Sequence, residues 1–155
     1  MRVRVSLSLP TLENDVAEII TQEQLDTLDA WIAALESGKY AKGTYTLKKL
    51  NGDQICYCCL GVLAELKKVP NKMIGNGITA HTFNFKEQPQ ANAIPLKTFR
   101  KWTGLNEFGG PDDMSLLIKI NDSTKNFSVV IERLKGMRDE RFKELQRNSN
   151  QVQDS

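Results

Sequence analysis

Three cysteines and a single histidine are the side chains of this chain best suited to metal or nucleophilic chemistry: Cys56, Cys58, Cys59 and His81. A structural zinc site brings four ligands together tetrahedrally, and its mark in a sequence is two separated pairs of the C-x2-C kind. A Cys-x-Cys-Cys run with one distant histidine lacks that form, and a lone histidine excludes a multi-histidine centre. Cys58 stands at the start of an apolar stretch, where a helix N-terminus can lower a thiol pKa and expose a nucleophile. No histidine lies nearby in the sequence to take its proton. The competing reading is that the thiols fill the core, as free cysteine often does. An odd, crowded set is also a poor disulfide framework, and a bridge between adjacent Cys58 and Cys59 would be strained. Reduced thiols are expected.

Other groupings carry weaker chemistry. Asn121 and Asp122, followed by Ser123 and Thr124, could offer amide, acid and hydroxyl groups to a ligand, although such residues also bond their own backbone in turns and caps. Asp112 and Asp113 could act as an acid and base pair; after Gly109-Gly110-Pro111 they read equally as solvated loop carboxylates. Trp31, Tyr40, Tyr45 and Trp102, with Lys39, Lys42, Lys48 and Lys49, could form an aromatic and basic face for a nucleotide or single strand. Against this, tryptophan is usually buried and hairpin lysines usually solvated. No nucleophile elbow, P-loop, dinucleotide fingerprint or H-E-x-x-H occurs. No catalytic residue, cofactor or metal is therefore assigned. The ligand- or partner-binding candidates are Lys39, Tyr40, Lys42, Tyr45, Asn121 and Asp122.

These residues need elements to position them. Thr21 and Gln24 form a capping box, and Leu25, Leu28, Ile32 and Leu35 recur at helical spacing, so a helix is predicted over 22–36 with Gly38 at its C-terminal cap. Thr44 to Leu50 and Asp53 to Tyr57 flank Asn51-Gly52, the signal of a hairpin with a type I′ turn. A two-stranded hairpin is marginal alone, so it is expected to pair with a third strand, from Val3–Leu9 or from Ile78–Phe85, or to lie on a helix. Cys58 to Leu66 has lost strand alternation and reads as a short buried helix, closed by Pro70. Gly61 would let it pack closely. Pro95 to Gly104 reads as another helix. Gly75-Asn76-Gly77 marks a turn, 106–113 a loop and 115–120 a helical turn that Asn121 to Thr124 breaks. Phe127, Val130, Ile131 and Leu134 then give an amphipathic helix capped by Asn126.

The sum is an α+β fold: a mostly helical single domain over 1–145, with a β-hairpin and a small antiparallel sheet, and a flexible tail at 146–155. The 155 residues can bury a core without staples, and 40% hydrophobic with 26% charged residues is a globular composition. The formal net charge is +2 with acids and bases interleaved, which is weak ground for a nucleic-acid partner. The alternating N-terminal segment has no continuous apolar stretch for a signal peptide, and no run approaches a membrane span. A cytoplasmic protein without membrane contact is expected.

Several blocks together resemble a known family: Trp31-Ile32-Ala33-Ala34-Leu35, Ser37-Gly38-Lys39-Tyr40, Lys42-Gly43, Cys58-Cys59-Leu60-Gly61-Val62-Leu63, Trp102-Thr103-Gly104-Leu105, and Asn121-Asp122 with Phe127 and Ile131. The family is one of small bacteriophage and prophage proteins with no agreed activity. The resemblance spans residues 28–135 and implies a phage origin with an intracellular role during infection. The expected function is then an accessory protein that binds a host protein or other macromolecule, or a signalling nucleotide, in host takeover or counter-defence. The alternatives are a small enzyme using Cys58 or Asp122, and a nucleic-acid-binding protein using the hairpin lysines.

Overall fold

Helix α1 (Gln22–Glu36) begins where the capping box predicts. Thr21 Oγ1 accepts from the Gln24 amide at 3.1 Å, and Gln24 Oε1 accepts from the Thr21 amide at 3.0 Å. Two of the orphan N–H groups of the first turn are thereby satisfied. The buried stripe contains Leu25, Leu28, Trp31, Ile32 and Leu35. Gly38 follows at φ +77°, the left-handed conformation that glycine adopts without a side-chain penalty. This computed structural model describes residues 20–73, 80–105 and 113–154, with side chains as far as Arg147. The expected strand at Val3–Leu9, the Gly75-Asn76-Gly77 turn and most of the 106–113 loop lie outside the described residues.

Strands β1 (Ala41–Lys42), β2 (Lys48–Asn51) and β3 (Gln54–Tyr57) form one sheet in the order β1-β3-β2. Strands β2 and β3 are the predicted hairpin, with Lys48 opposite Tyr57 and Asn51 opposite Gln54. The turn differs from the expected one. Asn51 is the last paired residue, so Gly52 and Asp53 make the two-residue loop. Positive φ occurs at Gly52 (+65°) but not at Asp53, and a first-position glycine is the requirement of a type II′ turn. The third strand is β1, parallel to β3, with Ala41 opposite Cys56 and Lys42 opposite Tyr57. Of the two candidate third strands, Ile78–Phe85 contributes β5 (His81–Phe83), which pairs antiparallel with β4 (Asn71–Met73) and touches the hairpin through one Lys49–Ala80 bridge.

Helix α2 (Cys59–Leu66) leaves β3 through the single residue Cys58, as the loss of alternation predicts. Its fit depends on Gly61. A Cβ there would stand 1.7 Å from the Leu47 carbonyl oxygen and 2.6 Å from its carbonyl carbon. Helix α3 (Leu96–Thr103) follows Pro95 and stops at Gly104, φ +70°. Helix α4 (Asp113–Ser123) is longer than the expected turn at 115–120: Asn121, Asp122 and Ser123 are its last turn, not a break. Helix α5 (Ser128–Asp154) starts after Asn126, whose Oδ1 accepts from the Ser128 amide at 2.9 Å, and its backbone stays helical as far as Asp154.

The core gathers between α1, α2, α3 and α5. Trp31 is fully buried, stands edge-on to Phe99 with centroids 6.2 Å apart, and donates from Nε1 to the Cys59 carbonyl at 2.8 Å. Cys59, Val62, Leu63, Val130 and Leu134, with Leu117 of α4, belong to the same buried cluster. The molecule is an α+β domain, mostly helical, with a hairpin-based sheet and a second small sheet.

Two glycines should respond oppositely to alanine. At Gly61 the new methyl meets backbone that cannot swing aside, so Gly61→Ala should cost about 3 kcal/mol or more. At Gly136, inside α5 with open space around a Cβ, alanine should add about 0.5–1 kcal/mol by its helix propensity. Urea unfolding midpoints measure both; equal effects would contradict the packing described.

Candidate functional site

The site grows from one buried amide. Asn121 lies on the same face of α4 as Leu117 and has no exposed surface. Its Oδ1 accepts from the Cys59 amide at 3.0 Å, and its Nδ2 donates to the Gly43 carbonyl at 3.0 Å and to Asp122 Oδ1 at 3.1 Å. A residue 62 positions downstream thus caps the first turn of α2. Cys58 supplies the second cap, its Sγ accepting from the Gly61 amide at 3.4 Å. Leu47 carbonyl accepts from Cys58 N at 3.2 Å. The chemistry anticipated for Asn121 is therefore spent on structure.

Asp122 continues outwards. Its Oδ1 also accepts from the Tyr45 amide at 3.1 Å. Tyr45 has φ +69°, an uncommon state for a non-glycine residue, and its side chain belongs to a residue that is 80% exposed. The hydrogen bond from its amide to the carboxylate holds it in that conformation. Beside Tyr45 lies a cavity of about 150 Å³ that brings the loop to Cys58, Asn121 and Asp122. Its remaining walls come from Thr46, Leu47, Leu60, Asn92, Ile94, Met114 and Ile118 among others. Sequence reasoning missed these, because 45–47, 92–94 and 114–118 are joined only by the fold. Thr46 carries one local irregularity: its Oγ1 is buried and has no hydrogen-bond partner among the described residues.

The other candidates fall elsewhere. Tyr40 packs edge-on against Tyr57 with centroids 5.0 Å apart and is half-buried. Lys39 is exposed and Lys42 half-buried on β1. The expected hairpin face of free lysines is corrected at Lys48. Its Nζ donates to Glu65 Oε1 at 3.0 Å and Asn71 Oδ1 at 3.1 Å, and it stands 5.5 Å from the Tyr57 ring centroid. Trp31 is in the core, so it cannot join an aromatic surface; Trp102 is half-buried, with Lys67 Nζ 5.9 Å from its ring.

The cysteines read as packing groups. Cys56, Cys58 and Cys59 are free and buried. Burial pushes the Cys58 thiol up to about 11, outweighing the opposing amide bonds from Gly61 and Leu60, and it pushes Cys59 well up too. A helix N-terminus therefore does not yield a thiolate here, because desolvation of the charged form dominates. Asp113 opens α4 and lies 4.0 Å from Arg141, while Asp112 is outside the described residues. Among the described residues no three His, Cys, Asp or Glu side chains gather as a metal site, and no helix is long and apolar enough to cross a membrane.

Residues 24–138 match the family model described as a domain of unknown function, DUF8296. The chain belongs to the DUF8296 family. The DUF8296 match takes in the Asn121 clamp, Tyr45 and every residue lining the cavity beside it. Neither a curated protein nor a solved structure matches the chain.

Replacing Asn121 by Ala strands the Cys59 amide and the Gly43 carbonyl. Each unsatisfied buried group costs about 1–3 kcal/mol, so a loss of about 3 kcal/mol in urea unfolding is expected. His81 gives a pH signature. Burial first, and Lys48 second, lower its pKa from the ordinary 6.5, with Glu65 opposing. The folded state then binds the proton less well than the unfolded one. Stability should be complete above 6.5 and should fall as pH drops below it. Melting temperatures from neutral to mildly acidic pH, compared with His81→Gln, measure this; an unchanged slope in the variant would exclude His81 as the source.

Proposed function

We propose that this DUF8296 protein is a non-catalytic accessory protein of a bacteriophage or prophage. It acts in the cytoplasm of the infected host by binding a host macromolecule or a signalling nucleotide through the face around Tyr45. The phage setting rests on the sequence resemblance. The binding reading rests chiefly on Tyr45: a large ring, 80% exposed, on a backbone in the left-handed region, tied by its amide to Asp122 at the mouth of a cavity. Strain of this kind costs about 1–3 kcal/mol and gathers at sites where a fixed presentation matters. An exposed aromatic contributes large contact area with few torsions to freeze, which is why tyrosine is enriched in interfaces.

The enzymatic alternative draws less support. Cys58 is neither exposed nor ionised near neutral pH, and its sulfur caps a helix. The nucleic-acid alternative loses Lys48 to Glu65 and Asn71.

Tyr45→Asn tests the reading with the fold kept, since asparagine tolerates positive φ better than most residues. Affinity purification from infected-host lysate with the wild-type chain should recover a partner or ligand that the variant loses. Identical recoveries, or nothing recovered by either, would reject it. Tyr45→Gly should also raise stability by about 1 kcal/mol by relieving the backbone while losing the same partner.

A further inference from the structure

The cavity beside Tyr45 has the size and lining of a ring-binding site. At about 150 Å³ it is of the order that admits benzene into a protein interior. Leu47, Leu60, Ile94, Met114 and Ile118 supply apolar walls, while Thr46, Asn92, Asn121 and Asp122 supply polar groups. Few polar groups set in apolar walls is the usual composition of a small-molecule pocket. The polar groups are unequal. Asn121 is occupied by Cys59, Gly43 and Asp122. Asp122 uses only Oδ1, for the Tyr45 amide and the Asn121 amide, so Oδ2 has no partner among the described residues. The Thr46 hydroxyl is buried and unpartnered, a state that costs about 1–3 kcal/mol unless something supplies the missing bond.

Thr46 Oγ1 is enclosed, so the unpartnered Asp122 oxygen defines the ligand's edge. An ionised carboxylate only accepts, so it selects a ring that presents N–H donors. We propose that the cavity takes the guanine base of a nucleoside or nucleotide, its ring N–H and exocyclic amine facing Asp122. The six-membered ring lies between the apolar walls, and Tyr45 at the mouth supplies a stacking surface. The sugar and any phosphate stay outside the cavity. This rests on the binding reading above and chooses its nucleotide branch.

Calorimetric titration of the full chain with guanosine, GMP, inosine and adenosine tests it. Guanosine and GMP should bind, and inosine, which lacks the exocyclic amine, should bind about 10-fold more weakly. Adenosine should be weaker still. Asp122→Asn keeps an oxygen for the Tyr45 amide but weakens the acceptor, and should cost about 10- to 100-fold in guanosine affinity, as expected for a hydrogen bond to a charged group. Tyr45→Asn serves as the second variant if Asp122→Asn unfolds, and should also weaken guanosine by removing the stacking ring. GMP binding more tightly than guanosine would identify a nucleotide as the source; equal binding would identify the nucleoside. No binding of either, equal binding of adenosine, or unaltered guanosine affinity in both variants overturns the assignment. If guanosine fails while Tyr45→Asn still loses a partner from lysate, the base assignment falls and the accessory reading stands. If both fail, both fall.

Discussion

Everything in this fold that bears on function depends on the contact between Gly61 and the Leu47 carbonyl. With no side chain at that position, α2 seats its first turn directly on the strand-entry backbone. The peptide around Cys59 is then fixed from both sides. Trp31 donates to its carbonyl from the core, and Asn121 accepts from its amide from α4. Buried backbone groups must find partners, and here those partners come from helices far apart in the chain. The contact therefore sets where α1, α2 and α4 stand relative to the hairpin.

A division of labour follows at adjacent positions. Asn121 is fully buried and its amide is consumed in holding the loop after β1 to the start of α2. Asp122, one residue on, is only partly buried and retains an oxygen without a partner among the described residues. The structural load on Asn121 is what allows a charged neighbour to sit beside a cavity instead of stabilising the core. Tyr45 inherits its unusual backbone from the same arrangement, since its amide is tied to that carboxylate.

The polar cluster on the other side of the hairpin shows the reverse case. Lys48, Glu65 and Asn71 satisfy one another in a partly buried setting. Burial, with Glu65 and Tyr40 adding to it, pushes the Tyr57 hydroxyl upwards. Charges engaged this way hold β2, α2 and β4 together and take Lys48 out of any basic face of the hairpin. The contrast turns attention from the hairpin's basic face to the cavity beside Tyr45.

Much of the fold was legible in the residue order because it rests on local physics. The Thr21–Gln24 capping box, the stripe from Leu25 to Leu35, the hairpin around Gly52 and the helix from Pro95 to Gly104 each follow from neighbours a few positions apart. The last turn of α4 was not legible. Asn, Asp and Ser favour caps and turns over helix interiors, and only the distant partners Cys59 and Gly43 make the helical position of Asn121 favourable. The short strand β1 was likewise hidden, since two residues acquire strand character only from pairing with Cys56 and Tyr57. At the candidate site the sequence by itself determined which groups were present: Tyr45, Cys58, Asn121 and Asp122. Only the tertiary structure decided their roles. Burial turned the thiol and the amide into fixtures of the core and left the tyrosine and carboxylate facing a cavity, because desolvation and hydrogen-bond partners depend on what surrounds a side chain and not on its place in the chain.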